Sequence, residues 1–203
     1  EAEAIEASVK RGDFVLKDVD ERIAKKNPSA PYTTSTLQQD ASVKMGFSVK
    51  RTMVVAQQLY EGNFEIPNYS GGLITYMRTD STVLASDALK QAQKVIKADF
   101  GKEFCIEKPR IFKTRAINAQ EAHEAIRPVD LSLKPKDIKV HLSSDQFRLY
   151  SLIWQRTLSS QMSSADIAKT TFKIEAGFEK EYLFISQGQR IVFPGFLIAY
   201  SRE

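Results

Sequence analysis

The sequence predicts an α+β protein in which a helical domain carrying Tyr76 is inserted into a mostly antiparallel β domain formed by both chain ends. Three observations predict it. Thr171–Ile174, Tyr182–Ile185 and Arg190–Phe193 read as strands, with turn formers at Ala176-Gly177 and Gln187-Gly188. Glu3–Val9 and Phe14–Ile23 read as extended segments separated by Arg11-Gly12-Asp13. Between these ends the apolar residues recur at helical spacing.

The elements follow in order. Lys25 to Pro31 breaks the first extended pattern and reads as a connector. Ser35 with Gln38 resembles a capping box, and Gly46 closes that helix. Ser48 caps the next helix, which runs to Tyr60 and Gly62 with Val49, Met53, Ala56 and Leu59 inward. Asn63–Gly72 is a loop, and Leu73–Met77 is short and extended. Ser86-Asp87 opens a helix through Lys97, ending near Gly101, with Ala88, Ala92, Val95 and Ile96 on one face. Asn118–Ile126 reads as a short helix stopped by Pro128. Ser144 caps a longer helix through about Ser163, with Phe147, Tyr150, Ile153 or Trp154, Thr157 and Leu158 inward. The domains implied are residues 1–33 plus 164–203 for the β part and residues 34–163 for the helical part. Their two connections, near Thr33 and Ser164, form a natural hinge.

A chain of 203 residues with 42% hydrophobic content suits a globular protein of one or two domains. No apolar run approaches a membrane span, and no signal-peptide pattern is present. The lone Cys105 excludes an internal disulfide and a cysteine-based zinc site, which fits a reducing cytoplasm. Glu1 at the start and the absence of a stop pattern at Ser201-Arg202-Glu203 lead us to expect a fragment of something longer. The net charge of +4 is mild. It is concentrated between Lys94 and Arg115, where seven basic residues face three acidic ones. That stretch, including Lys113 and Arg115, reads either as a solvated helix face with a basic loop or as a phosphate-tracking surface.

The segment Gly72-Leu73-Ile74-Thr75-Tyr76-Met77-Arg78-Thr79-Asp80-Ser81 carries the candidate chemistry. On an extended backbone Tyr76, Arg78 and Asp80 point to one side. A phenol beside a guanidinium suits attack on a phosphodiester, because paired donors neutralise a phosphate oxygen. A free phenol has a pKa of about 10, so the phenolate costs roughly 4 kcal/mol at neutral pH. One arginine nearby lowers that pKa by about 1–3. A second cation, a metal or a base must therefore help, or the proton leaves during the reaction. A half-buried strand with a tyrosine at its end is the simpler reading of the spacing alone.

Leu73 to Ser81 resembles the active-site segment of type IA DNA topoisomerases. Gln120-Glu121-Ala122-His123-Glu124-Ala125-Ile126-Arg127-Pro128 is similar to a second motif of that family, and Pro31-Tyr32-Thr33-Thr34-Ser35-Thr36-Leu37-Gln38-Gln39 to a third. All three stand in family order. Met77 and the Glu121–Pro128 run fit the bacterial topoisomerase I branch, while Val129 departs from the hydroxyl residue usual there. The resemblance implies a β arch carrying a helical domain that swings as a DNA gate. It implies Tyr76 as the nucleophile, joined transiently to a 5′ phosphate, and Arg78 as the group that positions the scissile phosphate. Asp80 either orients Arg78 or serves as a turn carboxylate. His123 and Arg127 are implied DNA contacts, with Arg127 alternatively an ion-pair partner of Glu124. In the first motif, Ser35 and Gln38 read as helix capping, and Ser35, Thr36, Gln38 and Gln39 alternatively as polar contacts with single-stranded DNA or with the missing domains.

The implied activity is relaxation of negatively supercoiled DNA by single-strand cleavage, strand passage and religation, without ATP. The implied cofactor is Mg²⁺, held in the full-length enzyme by an acidic Toprim domain outside this chain. Asp18-Val19-Asp20-Glu21 fails the family's Asp-x-Asp-x-Glu spacing, so no metal is expected here. The implied partners are DNA and the missing domains of the same polypeptide, in the bacterial cytoplasm at the nucleoid. A non-catalytic DNA- or protein-binding module is the rival reading.

Overall fold

The structure is a computed structural model that describes residues 1–112, 124–177, 179 and 182–201. It is a mixed helix and strand protein, as the pattern predicts. Two compact units emerge, Glu1–Lys26 with Ser164–Pro194, and Asn27–Ser163 with Gly195–Glu203. Residues 27–33 and 195–203 thus group with the helices.

The first unit opens with α1 (Ala2–Arg11), where the sequence pattern suggests an extended segment over Glu3–Val9. Alternation misled here because local helix energetics prevail. The segment holds three alanines, Glu6 pairs with Lys10 one turn on, and Glu3 and Lys10-Arg11 complement the helix dipole. Gly12 then leads to β1 (Val15–Lys26).

β1 pairs antiparallel with β2 (Ala165–Ala176), which pairs antiparallel with β3 (Tyr182–Phe193), giving the order β1-β2-β3. The two C-terminal strands expected after residue 181 are one continuous strand. Gly188, read as a turn residue, pairs with Thr170 inside it. A Cβ there would stand 4.0 Å from the Phe172 ring, so a neighbouring aromatic covers the gap. Ion pairs link the strands: Lys25 reaches Asp166 at 3.3 Å and Arg190 reaches Glu21 at 3.2 Å. Asp18 lies 2.9 Å from Lys173, which holds its carboxyl below the usual range. Asp20 pairs with Arg22 at 2.7 Å. Each carboxylate of the 18–21 run thus faces a cation of its own.

The second unit is built around α6 (Ser144–Ser160), buried over Leu149–Trp154 and Thr157–Ser160. Its cap is Ser143, one residue earlier than the pattern indicates, in a reciprocal box with Gln146. Polar tips of buried aromatics find backbone acceptors: Tyr150 Oη donates to Leu133 O at 2.8 Å and Trp154 Nε1 to Leu131 O at 3.1 Å.

Around α6 pack α2 (Thr34–Met45), α3 (Val49–Glu61), α4 (Ser86–Asp99), the short α5 (Pro135–Ile138) and the 3₁₀ turn Gly195–Tyr200. The cap of α2 is Thr33, with Thr36 reciprocating, rather than Ser35 with Gln38. Gly46 and Gly62 close α2 and α3 in the left-handed region, as expected. Ala88, Ala92, Val95 and Ile96 are the buried residues of α4. In α3 the buried face is Thr52, Val55, Ala56 and Leu59, while Val49 is exposed. Thr52 can be buried because its hydroxyl donates to Ser48 O at 3.0 Å.

Candidate active site

The segment bearing Tyr76 is delivered by α3 and the loop after it. Leu73 N donates to Leu59 O at 2.7 Å, so the chain returns to the end of α3 after Gly62–Gly72. Gly72 permits that approach: a Cβ there would lie 2.0 Å from Tyr60 O. Tyr69 Oη donates to Gly72 O at 2.6 Å and steadies the same point.

From Leu73 onward the backbone is bent and pairs only at Ile74, opposite Pro128. No regular strand forms over Leu73–Met77, contrary to the simple reading. The alternation of side chains survives nonetheless. Met77, Thr79 and Ser81 are buried, while Tyr76, Arg78 and Asp80 between them are exposed. Burial of one set presents the other set to solvent.

Tyr76 is 44% exposed, and its ring meets that of Tyr60 edge-on with centroids 5.4 Å apart. Tyr60 was not among the residues singled out from the sequence. Its position next to Gly62 at the end of an amphipathic helix is the signal that could have found it, because a helix end beside a returning loop faces whatever that loop carries.

The three motifs come together through the backbone. Ile126 N donates to Tyr32 O at 2.8 Å, Thr75 N to Arg127 O at 2.9 Å, Val129 N to Leu73 O at 3.0 Å, and Thr34 N to Thr79 O at 2.9 Å. The Pro31–Gln39 run and the described end of the second motif therefore flank the tyrosine segment on either side.

Arg127 sits inside this junction rather than on its surface. Its side chain is 13% exposed. Nε and Nη2 donate to Glu124 Oε2 at 3.1 and 2.7 Å, and Nη1 donates to Pro128 O at 2.9 Å. Glu124 Oε1 in turn accepts from Ala85 N at 2.7 Å, ahead of α4. With these donors engaged, the arrangement suits the ion-pair reading of Arg127 over a DNA contact. Glu124–Ile126, expected as the end of a helix, is non-helical backbone, and Ile126 bridges to Tyr32. Lys113, Arg115 and His123 lie outside the described residues. In the basic stretch Lys94, Lys97, Lys102 and Lys108 are exposed, whereas Arg110 donates to Met162 O at 3.3 Å and burial lowers its pKa.

Among the described residues no three His, Cys, Asp or Glu side chains gather as a metal-ligand set. No chemical step is assigned to a metal held by these described residues. Among the same residues no helix is long and apolar enough to cross a membrane.

Comparison with known proteins places the chain in a family. A protein-family model described as DNA topoisomerase matches residues 1–203. The chain belongs to that family, in its bacterial type IA form. It is 42% identical over 202 residues to DNA topoisomerase 1 of Rickettsia bellii, covering 98% of this chain and 25% of the relative. It is 43% identical over 190 residues to DNA topoisomerase 1 of Xylella fastidiosa, covering 94% of this chain and 23% of that protein. The solved structure of full-length topoisomerase I from Thermotoga maritima matches with a TM-score of 0.83 at 35% identity, over 100% of this chain and 32% of that one. The chain thus spans about a quarter of the length of the first-matched curated relatives.

Proposed function

We propose that this chain is the nucleophile-bearing part of an enzyme that relaxes negatively supercoiled DNA through transient single-strand breaks. The observation that carries the reading is the exposure of Tyr76 and Arg78 on a segment whose intervening residues are buried. Tyr76 Oη attacks the scissile phosphorus and gives up its proton. A phosphotyrosine bond to the 5′ phosphate forms as the bond to the 3′ oxygen breaks, and that oxygen leaves protonated. The freed 3′ hydroxyl reverses the attack and reseals the strand. The phosphodiester bond energy is kept in the tyrosine ester, so cleavage and religation need no ATP. Arg78 holds the phosphate with paired donors and offsets charge in the transition state. Asp80, exposed two residues on, supports Arg78.

His123, Lys113 and Arg115 contact DNA phosphates in this reading, and the substrate is a single-stranded segment of the duplex. Acidic residues of the full-length protein, outside this chain, would hold the Mg²⁺, and the protein works in the cytoplasm on the bacterial chromosome.

The test is plasmid relaxation by the full-length protein with Mg²⁺, alongside denaturing detection of the 5′-phosphotyrosine adduct. Wild type should give both and Tyr76→Phe neither, while this chain alone should leave the plasmid supercoiled. Adduct formation by Tyr76→Phe would remove Tyr76 from the role. Arg78→Ala should slow cleavage by about 10²–10³-fold, and Arg78→Lys should recover little, because an ammonium cannot present paired donors.

A further inference from the structure

We propose that the hydroxyls of Thr34 and Thr75 are positioning groups for Tyr76, one on each side of it, an inference that rests on Tyr76 being the nucleophile. Thr75 Oγ1 donates to Ala125 O at 2.7 Å and accepts from Arg127 N at 3.0 Å. Thr34 Oγ1 donates to Met77 O at 2.7 Å and accepts from Thr79 N at 2.9 Å. Each hydroxyl uses its single proton and a lone pair, so each ties two backbone groups at once. The first joins the tyrosine segment to the second motif just before Tyr76. The second joins it to the first motif just after.

The backbone there has need of such ties. It is bent between Thr75 and Arg78 and forms no continuous ladder, so the side-chain hydroxyls supply bonds that a regular strand would take from a neighbour. Tyr76 itself is exposed, and the one ring contact it makes among the described residues is with Tyr60. The place of its phenol therefore follows chiefly from its Cα, which the two threonines hold from opposite sides in sequence. A reacting atom misplaced by about 1 Å can lose on the order of 10²-fold in rate.

The experiment uses the full-length protein with Thr34→Val, Thr75→Val, Thr34→Ser and Thr75→Ser. Single-turnover cleavage of a single-stranded oligonucleotide gives the rate, binding of the same oligonucleotide without Mg²⁺ gives the affinity, and thermal melting reports folding. Each valine variant should cleave about 10- to 100-fold more slowly, with affinity within about 2-fold of wild type. The serine variants should keep the rate within about 3-fold, since the hydroxyl is retained. Valine variants that cleave at the wild-type rate overturn the inference, as does an equal loss in serine and valine. Should the valine variants not fold, hydrogen exchange in wild type decides: the Thr79 and Arg127 amides should be protected, and rapid exchange at both overturns the proposal. An adduct in Tyr76→Phe sinks the nucleophile reading itself. A null Tyr76→Phe beside fully active valine variants sinks only the role of the threonines.

Discussion

The rings of Tyr60 and Tyr76 meet edge to face, with centroids 5.4 Å apart and planes inclined at 65°. One residue lies in the last turn of α3 and the other beyond the returning loop, so the contact joins the helix to Tyr76. It limits the orientations open to an otherwise exposed phenol. Pairs of this geometry contribute about 0.5–1.5 kcal/mol beyond area burial. Tyr60→Ala in the full-length protein should slow adduct formation by about 2- to 10-fold. Tyr60→Phe keeps the ring and should be close to wild type. Single-turnover cleavage rates check both.

Arg127 and Glu124 form a partly buried pair that bridges the start of α4 to the Pro128–Val129 backbone. Arg127→Ala leaves Glu124 and two carbonyl oxygens short of donors. We expect a loss of about 1–3 kcal/mol in unfolding free energy, measured by denaturant titration. The salt dependence of oligonucleotide binding should stay unchanged, because no phosphate contact is removed. A clear fall in the salt slope would return Arg127 to the DNA-contact set.

Gly72 is confined by backbone. A Cβ would lie 2.0 Å from Tyr60 O and 2.9 Å from Tyr60 C. Gly72→Ala must push the loop off α3, and should cost about 1–3 kcal/mol by thermal or chemical denaturation. Gly188 has ordinary contact at 4.0 Å, without a left-handed backbone. Gly188→Ala should be neutral or stabilising by up to about 1 kcal/mol.

Asp40 gathers three partners: Tyr32 Oη at 2.5 Å, Lys44 Nζ at 3.0 Å and Arg156 Nη2 at 3.6 Å. Partial burial pushes its carboxyl pKa up. The Tyr32 hydrogen bond and the two cations together outweigh that, and hold it below the ordinary value. The folded protein therefore binds fewer protons at this site than the unfolded chain does around an unfolded pKa of about 3.9. The stability Asp40 contributes is present above that value and lost as pH falls through the lower native one. Melting temperatures of wild type and Asp40→Asn should differ most near neutrality and converge as pH drops below about 4. A gap that stays constant down to about pH 2 would show that the charge is not what stabilises.

Much of the helical unit was legible because its signals are local. Gly46 and Gly62 mark helix ends through their own backbone freedom, and the face of α4 repeats at helical spacing. The capping residues were less legible. Thr33, Ser35 and Thr36 all carry the same functional group, and only the path of the preceding chain selects which one stands at the cap. The extended regions were least legible. Gly188 resembles a turn residue until Thr170 is placed opposite, and Glu3–Val9 alternates as a strand does while lacking a partner strand.

By itself the sequence determined the α+β class, the order of the three motifs, and that Tyr76, Arg78 and Asp80 share one side of an alternating segment; that this side is the exposed one came from the structure. These depend on side-chain chemistry and on periodicity along the chain. Only the tertiary structure decided that Tyr60 stands against Tyr76, that Arg127 is engaged by Glu124, and that Thr34 and Thr75 bracket the tyrosine. Each of these is a contact between residues more than two positions apart in sequence, most of them far apart. Such contacts leave no periodic trace, because they form only once the backbone has brought separate segments within hydrogen-bonding or van der Waals distance.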